Sequence, residues 1–303
     1  MNKFLGKILV TTGFPRNVGF HSEVIDLVNP NVSCQNLANF PINVSFAFGG
    51  LLEDKVPLVC GGYTDQFKSE FGQSKCFTVG SKEVRATLTQ PRFYGAGVVI
   101  SKHILWGTGG TMTEYSTDLV TLNQKAKVGP ELPIKFLEHC VTKINDTHVI
   151  LIGGIDAENQ DQTLLVDISR NFSMSEGPSL NNGRYDFSCG SFRFNNKTIV
   201  IVAGGYDNSN SISTELWDLD PNHGWIKGPS LLEPCSGSSM VSSPSGEGVI
   251  VLGCREHSQS FYQLYKDQSG MLLWRKMIQK LKYPRSDTVA MLIPDEIVSC
   301  KQQ

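Results

Sequence analysis

No stretch of the 303-residue chain reaches the roughly 18 uninterrupted apolar residues of a membrane-spanning helix. The longest apolar runs, such as "TIVIVAGG" at 198–205, are short and end in glycine. Neither sign of charge dominates: 27 Lys plus Arg against 29 Asp plus Glu give a formal net charge of −2, which argues against a nucleic-acid partner. No segment holds an i, i+3, i+4 apolar pattern for three turns, so helices are not expected. Even "MLLWRKMIQKLK" (271–282) falls where a strand is wanted. Metalloprotease, nucleophile-elbow and P-loop strings are missing. None of the six histidines (His21, His103, His139, His148, His223 and His257) stands at ligand spacing from another, so no metal and no cofactor are expected. The opening "MNKFLGKILVTTGF" shows neither an apolar h-region nor a cleavage site, so no secretion signal is expected in the sequence as given.

What the chain has is glycine, 29 of them, arranged periodically. A run of β-branched and apolar residues ends at Gly13, Gly62, Gly110, Gly154, Gly205 and Cys254, in steps of 49, 48, 44, 51 and 49 residues. Each run follows a first apolar strand and a tight polar turn, as in "CVTKIND-THVILIGG" (140–154). Each is followed by a loop, an alternating strand, and a fourth strand whose template repeats as "KVGPELP" (127–133), "MSEGPSL" (174–180) and "WIKGPSL" (225–231). Four short strands per unit of about 50 residues, repeated six times, predict the blades of a propeller. The inner strands read as unbroken apolar runs because both faces are covered. Trp225 and Trp274 fill the outer gap between blades, where Met174 and Cys34 stand in other repeats.

The chain begins at a second strand and ends with a spare first strand, "SDTVAMLIP" (286–294), which predicts one blade shared by both termini. The expected blades cover about 7–41 with 286–300, 42–91, 92–133, 134–180, 181–231 and 232–283, all in a single domain. Either the N-terminal "KILV" or the C-terminal "DEIVSC" (295–300) can fill strand two of the shared blade.

The glycine pairs, the period and the fourth-strand tryptophans resemble the kelch-repeat family over nearly the whole chain. "CGGYTDQFKSEFGQSKC" (60–76), "VSCQNLANFP" (32–41) and "LIPDEIVSC" are similar to the secreted kelch proteins of invertebrate animals. The resemblance implies an extracellular protein of mostly unknown ligand; taken with the repeats, it makes an all-β, six-bladed kelch-type β-propeller closed by a C-terminal strand the expected fold, and non-catalytic binding of a protein or glycan the expected role. Some kelch propellers are copper radical oxidases, whose histidines have no counterpart set here; others isomerise sugars with axial Arg and Glu, and that activity is the alternative. A third reading is the propeller of an intracellular, cytoplasmic adaptor. A monomer is expected.

Among the 8 cysteines, Cys60 and Cys76 end neighbouring antiparallel strands and are expected to pair. Cys34 with Cys300 would latch the shared blade, and Cys235 with Cys254 can face each other across two strands. Cys140 and Cys189 are expected as free, buried thiols. Asn-x-Ser/Thr sequons at Asn31, Asn145, Asn171 and Asn196 fall in expected hairpin turns and are glycosylation candidates; a fifth lies at Asn43. Cysteines, sequons and resemblance together favour an oxidising compartment.

A partner is expected on the face made by the strand-two-to-three loops and the blade-to-blade loops. The first set holds Tyr63, Phe67, Phe71, Tyr115 and Tyr206. The second, "PRFY", "NNGRY" and "YPRS", repeats an arginine at Arg92, Arg184 and Arg285 and adds Tyr94 and Tyr185. The three arginines form either a cationic ring at the channel mouth, suited to a carboxylate or acidic peptide, or ties from blade to blade through backbone carbonyls.

Overall fold

A computed structural model describes residues 6–15, 17–29, 32–34, 37–64, 72–111, 115–155, 160–207, 211–298 and 300–302. Among them the only helical element is the turn Ile168–Arg170. Everything else regular is strand, as the missing helical periodicity requires.

Three sheets have four strands in chain order, each antiparallel to the next. They run Cys140–Lys143 to Ser173–Glu176, Ser188–Phe194 to Ile226–Lys227, and Ser239–Ser242 to Leu272–Lys280. The second strands, His148–Ile152, Lys197–Ala203 and Val249–Leu252, are buried almost throughout. The core lies between neighbouring sheets. Phe192, Ile199, Ile201 and Leu216 of one sheet pack on Val249, Val251, Tyr262 and Trp274 of the next.

The Gly-Pro template of the fourth strand has a physical cause. Thr117, just before a third strand, and Thr163 and Thr214, at the start of theirs, each donate a hydroxyl hydrogen bond to a proline carbonyl, of Pro130, Pro178 and Pro229. A Cβ on the preceding Gly129, Gly177 or Gly228 would collide with that hydroxyl. The Trp225 and Trp274 indoles then donate to the carbonyls of Pro178 and Pro229 in the sheet before, both at 2.9 Å. The template thus serves both its own sheet and its neighbour.

Six separate four-stranded sheets are not what the pairing shows. Four sheets carry four strands or more, because one of them has eight. The strand Val84–Ser101 runs 18 residues through the expected boundary at 91/92. Its first part pairs with Gln73–Thr78 and its second with Ile104–Gly110, so pairing is never lost where the chain crosses from one unit to the next. The terminal sheet is also smaller than expected. Lys7–Thr11 lies between Ser22–Asp26 and Val289–Ile293, so the N-terminal segment takes the contested second place. Val32–Cys34 pairs instead with Cys300–Gln302.

The innermost strands follow one another around an axis. Val289–Ile293 contacts both Ser239–Ser242 and Phe48–Leu52, and Cys140–Lys143 contacts both Val84–Ser101 and Ser188–Phe194.

All eight cysteines are oxidised. Cys60–Cys76 and Cys34–Cys300 each join residues directly opposite in paired strands, and Cys235–Cys254 links the approach of an inner strand to the end of the next. Cys140 and Cys189, expected to be free, form the fourth bond. They sit on the inner strands of adjacent sheets, which run side by side, so the two halves of this bond belong to different repeats. Four disulfides point to an oxidising, non-cytoplasmic compartment.

Candidate functional site at the axis

Where the chain turns into each inner strand, one residue adopts a left-handed backbone. These are Phe46, Tyr94, Glu138, Asp186, Gly237 and Asp287, with φ between 49° and 61°. Side chains other than glycine, asparagine and aspartate rarely stay in this region, and it costs of order 1 kcal/mol or more each. Backbone hydrogen bonds hold it. Glu138 N donates to Tyr94 O, Asp186 N to Glu138 O, Gly237 N to Asp186 O, Asp287 N to Gly237 O, and Phe46 N to Asp287 O, at 2.7–3.3 Å.

These residues surround a cavity of about 100 Å³. Below it, the inner strands line a further space of about 190 Å³ that includes Cys140, Cys189 and Ser239. Three carboxyl groups, Glu138, Asp186 and Asp287, therefore meet at the mouth of an axial channel. Arg255, from the loop after Cys254, reaches between two of them. One nitrogen lies 2.9 Å from Asp186, and the other lies 3.0 and 3.2 Å from the two oxygens of Asp287. The first nitrogen also donates to the Tyr206 hydroxyl at 3.0 Å. A Cβ on Gly237 would stand 2.7 Å from Asp287 Oδ1 and 3.1 Å from the Arg255 guanidinium, so this clamp needs glycine there.

Burial sets the protonation of the cluster. It is the largest influence on Asp186, whose pKa is pushed up to about 8, with the Asp287 charge adding to it and Arg255 opposing. Glu138 is pushed up to about 7, by burial first and then by Asp287. Asp287 is also raised by burial, against the pull of Arg255. Burial works against the Arg255 charge, but Asp287 and Asp186 outweigh it and hold the guanidinium more firmly protonated than usual. Burial, then the Glu138 charge, raises the Tyr94 hydroxyl. Beside the ring, His139 is kept neutral by burial, its pKa down to about 3, and its Nε2 lies 2.7 Å from the Thr108 hydroxyl. Near neutral pH burial thus favours the protonated forms of Glu138 and Asp186 beside one fixed cation, Arg255.

The arginines read from the sequence are not at this mouth. Arg92, Arg184 and Arg285 are fully buried. Arg92 binds the Gly109 and Ser116 carbonyls and pairs with Asp118. Arg184 binds the Gly204 and Ser213 carbonyls and lies 2.7 Å from Glu215. Arg285 binds the Val10 and His21 carbonyls and lies 2.7 Å from Glu23. Guanidiniums with carbonyls and a buried carboxylate in reach stay with them, so of the two arrangements read from the sequence the arginines make ties to backbone carbonyls and not a cationic ring.

Of the aromatic candidates, Tyr94 lies in the axial ring and Tyr206 on Arg255, with Tyr185 stacked on Tyr206 at 5.2 Å. Tyr63 packs edge-on against Phe93, and Tyr115 borders a different hollow with Gly129 and Phe136. Phe67, Phe71 and Asn31 lie outside the described residues. Asn145, Asn171 and Asn196 are exposed. Glu138, Asp186, Asp287 and Arg255 were missed in the sequence, though a signal was there: Tyr94, Asp186 and Asp287 each stand two residues after a repeated arginine.

The fold these elements define is a β-propeller. No family model and no curated protein matches the chain. Among solved structures, one entitled "Structure of YjhT" is similar, with a TM-score of 0.68 and 13% identity over 89% of this chain and 94% of that one. Likeness at that identity speaks for the fold alone.

Proposed function

We propose that the chain is an extracellular, kelch-type propeller of six blades in a closed ring, a non-catalytic module that binds a protein or glycan partner at the axial mouth through a basic group of that partner. The six-blade reading is supported by the six left-handed residues, one per repeat, and by the hydrogen bond from Phe46 back to Asp287. It takes the eight-stranded sheet as two blades joined through 84–101, and the two terminal sheets as one blade. The expected blade boundaries stand on that reading.

The observation that carries the binding role is the convergence of Glu138, Asp186 and Asp287 around a single arginine, with Phe46, Tyr94 and Tyr206 beside them. Three carboxyls against one guanidinium leave room for a second cation, and aromatic faces favour one. An entering ammonium or guanidinium stabilises the ionised forms of Glu138 and Asp186, so binding releases protons. Isothermal titration with lysine- and arginine-rich, acidic and neutral oligosaccharide ligands tests this. Basic ligands are expected to bind about tenfold more tightly at pH 8 than at pH 6, with buffer-dependent heats from proton release, and Asp287→Asn is expected to abolish the effect. Preference for acidic ligands would end the proposal.

A second reading, a sugar-processing propeller, is favoured by carboxyls with pKa near 7 and 8 beside a fixed cation, a pairing suited to general acid–base work. Its test is the interconversion of sugar anomers followed by NMR. Acceleration lost in Glu138→Gln supports it, and rates equal to those in buffer reject it. The four disulfides weigh against the intracellular adaptor.

A further inference from the structure

The sequons divide between the two ends of the strands. In a four-stranded antiparallel sheet, the one-to-two and three-to-four turns share one end, and the two-to-three loops and approaches to strand one share the other. The left-handed residues stand at the approach to strand one, and their hydrogen bonds gather those ends into one face, with the axial acids on it. Asn145 lies between Cys140–Lys143 and His148–Ile152, Asn196 between Ser188–Phe194 and Lys197–Ala203, and Asn171 between Thr163–Asp167 and Ser173–Glu176. All three are therefore on the opposite face, about 17 Å away along a five-residue strand. Among the sequons in the described residues, Asn43 alone belongs to the acid face, just before Phe48–Leu52.

Their surroundings differ as their positions do. Asn145, Asn171 and Asn196 are exposed, the latter two at turn tips with φ of 52° and 65°. The Asn145 side-chain oxygen accepts bonds from Thr147 N and His148 N, at 2.8 Å each, and from the Thr147 hydroxyl at 3.0 Å, on an exposed residue. Asn43 is half-buried; its Oδ1 is enclosed without a partner among the described residues, and a Cβ on Gly19 would stand 2.6 Å from it. Its neighbour Val44 accepts a hydrogen bond from Gly13 N at 2.9 Å, where the two ends of the chain meet.

We propose that the protein carries N-linked glycans at Asn145, Asn171 and Asn196 and none at Asn43, so that one face is sugar-coated and the acid face is bare for its partner. This rests on the extracellular reading above. The donor is a lipid-linked oligosaccharide pyrophosphate. A bond forms from Asn Nδ2 to the anomeric carbon, that carbon's bond to the pyrophosphate oxygen breaks, and the amide proton leaves with the lipid pyrophosphate. The Asn43 side chain packs on Gly19 next to the Gly13–Val44 hydrogen bond, so a glycan carried on that side chain would press on the close contacts of 13, 19 and 44.

The test is secretion of the full chain from animal cells behind a heterologous leader, with intact mass and glycopeptide mapping. Asn145→Gln, Asn171→Gln and Asn196→Gln are each expected to remove one glycan mass, and Asn43→Gln none. Thr147→Ala, Ser173→Ala and Thr198→Ala repeat the test with the asparagines kept, in case a turn tolerates glutamine poorly. Sugar at Asn43, or bare asparagines at the three turns in a secreted chain whose mass shows two hydrogens lost per disulfide, overturns the inference and leaves the extracellular reading standing. Reduced cysteines in the secreted chain would overturn that reading itself.

Discussion

Replacing Glu138 with glutamine tests whether the axial acids are as buried as their positions imply. The folded protein holds the Glu138 proton up to about pH 7, whereas the carboxyl ordinarily releases it near 4.5. Stability from this group is therefore complete below about pH 4.5 and is lost as pH rises through 7. Taken whole, a difference of that size is worth about 3 kcal/mol. Glu138 is only partly buried, and solvent screening reduces it to about 1–2 kcal/mol. Glutamine keeps the shape and never ionises. Urea denaturation of the oxidised protein from pH 5 to pH 8.5 is expected to show wild type losing stability across the range, more steeply than the variant. The two should nearly coincide at pH 5, and Glu138→Gln should lead by about 1–2 kcal/mol at pH 8.5. Asp186 loses one of the charges that raise it, so its carboxyl resonance should titrate lower in the variant. Wild-type stability that stays level or rises from pH 5 to 8.5, or a variant no more stable at pH 8.5, refutes the reasoning.

Gly237→Ala puts a Cβ against Asp287 and Arg255 at a φ of 61°, and should cost about 1–3 kcal/mol in urea denaturation while weakening binding at the mouth. Arg184→Met leaves Glu215 buried without its cation and should cost about 3–5 kcal/mol in denaturant unfolding, part of it recovered when Glu215→Gln is added. Replacing Cys140 and Cys189 together with alanine opens a loop of 49 residues and should lower stability by roughly 4 kcal/mol with the native spectrum retained.

Much of the fold was legible because its signals are local. Glycine pairs mark strand ends, and Gly-Pro marks a threonine hydroxyl in the next strand over, so both repeat wherever the sheet repeats. The unbroken strand through Pro91 and Arg92 was not legible, since a proline and an arginine there read as a loop until Gln73 is known to pair with Arg92 and Gly110 with the next residue, Phe93. Cys140–Cys189 needed the register between two sheets, which composition and spacing do not contain. The site failed for a related reason. Arg184 and Asp186 are two residues apart and equally polar, yet one is taken into the sheet and the other faces the axis; the choice is made by the left-handed turn at Asp186. Nothing in the residue type announces that turn at Glu138, Tyr94 or Phe46.

The buried arginines and the Cys235–Cys254 disulfide are two answers to one structural demand. The carbonyls of Val44, Arg92, Arg184 and Cys235 accept hydrogen bonds from Gly13, Gly62, Gly154 and Gly205, at 2.8–2.9 Å, so these four positions are equivalent. From that position Arg92 reaches the carbonyl of Gly109 and Arg184 that of Gly204, each at the glycine pair of its own sheet. Cys235 is too short to do so, and it bonds instead to Cys254, which stands where the second glycine would be. The substitution reaches the mouth, because Arg255 follows Cys254 and Gly237 lies two residues past Cys235. The disulfide thus fixes both the cation of the axial clamp and the gap it passes through. Of these four equivalent positions, Val44 and Cys235 carry no arginine, and the unit of Cys235 is the one whose glycine-pair end supplies Arg255 to the acids.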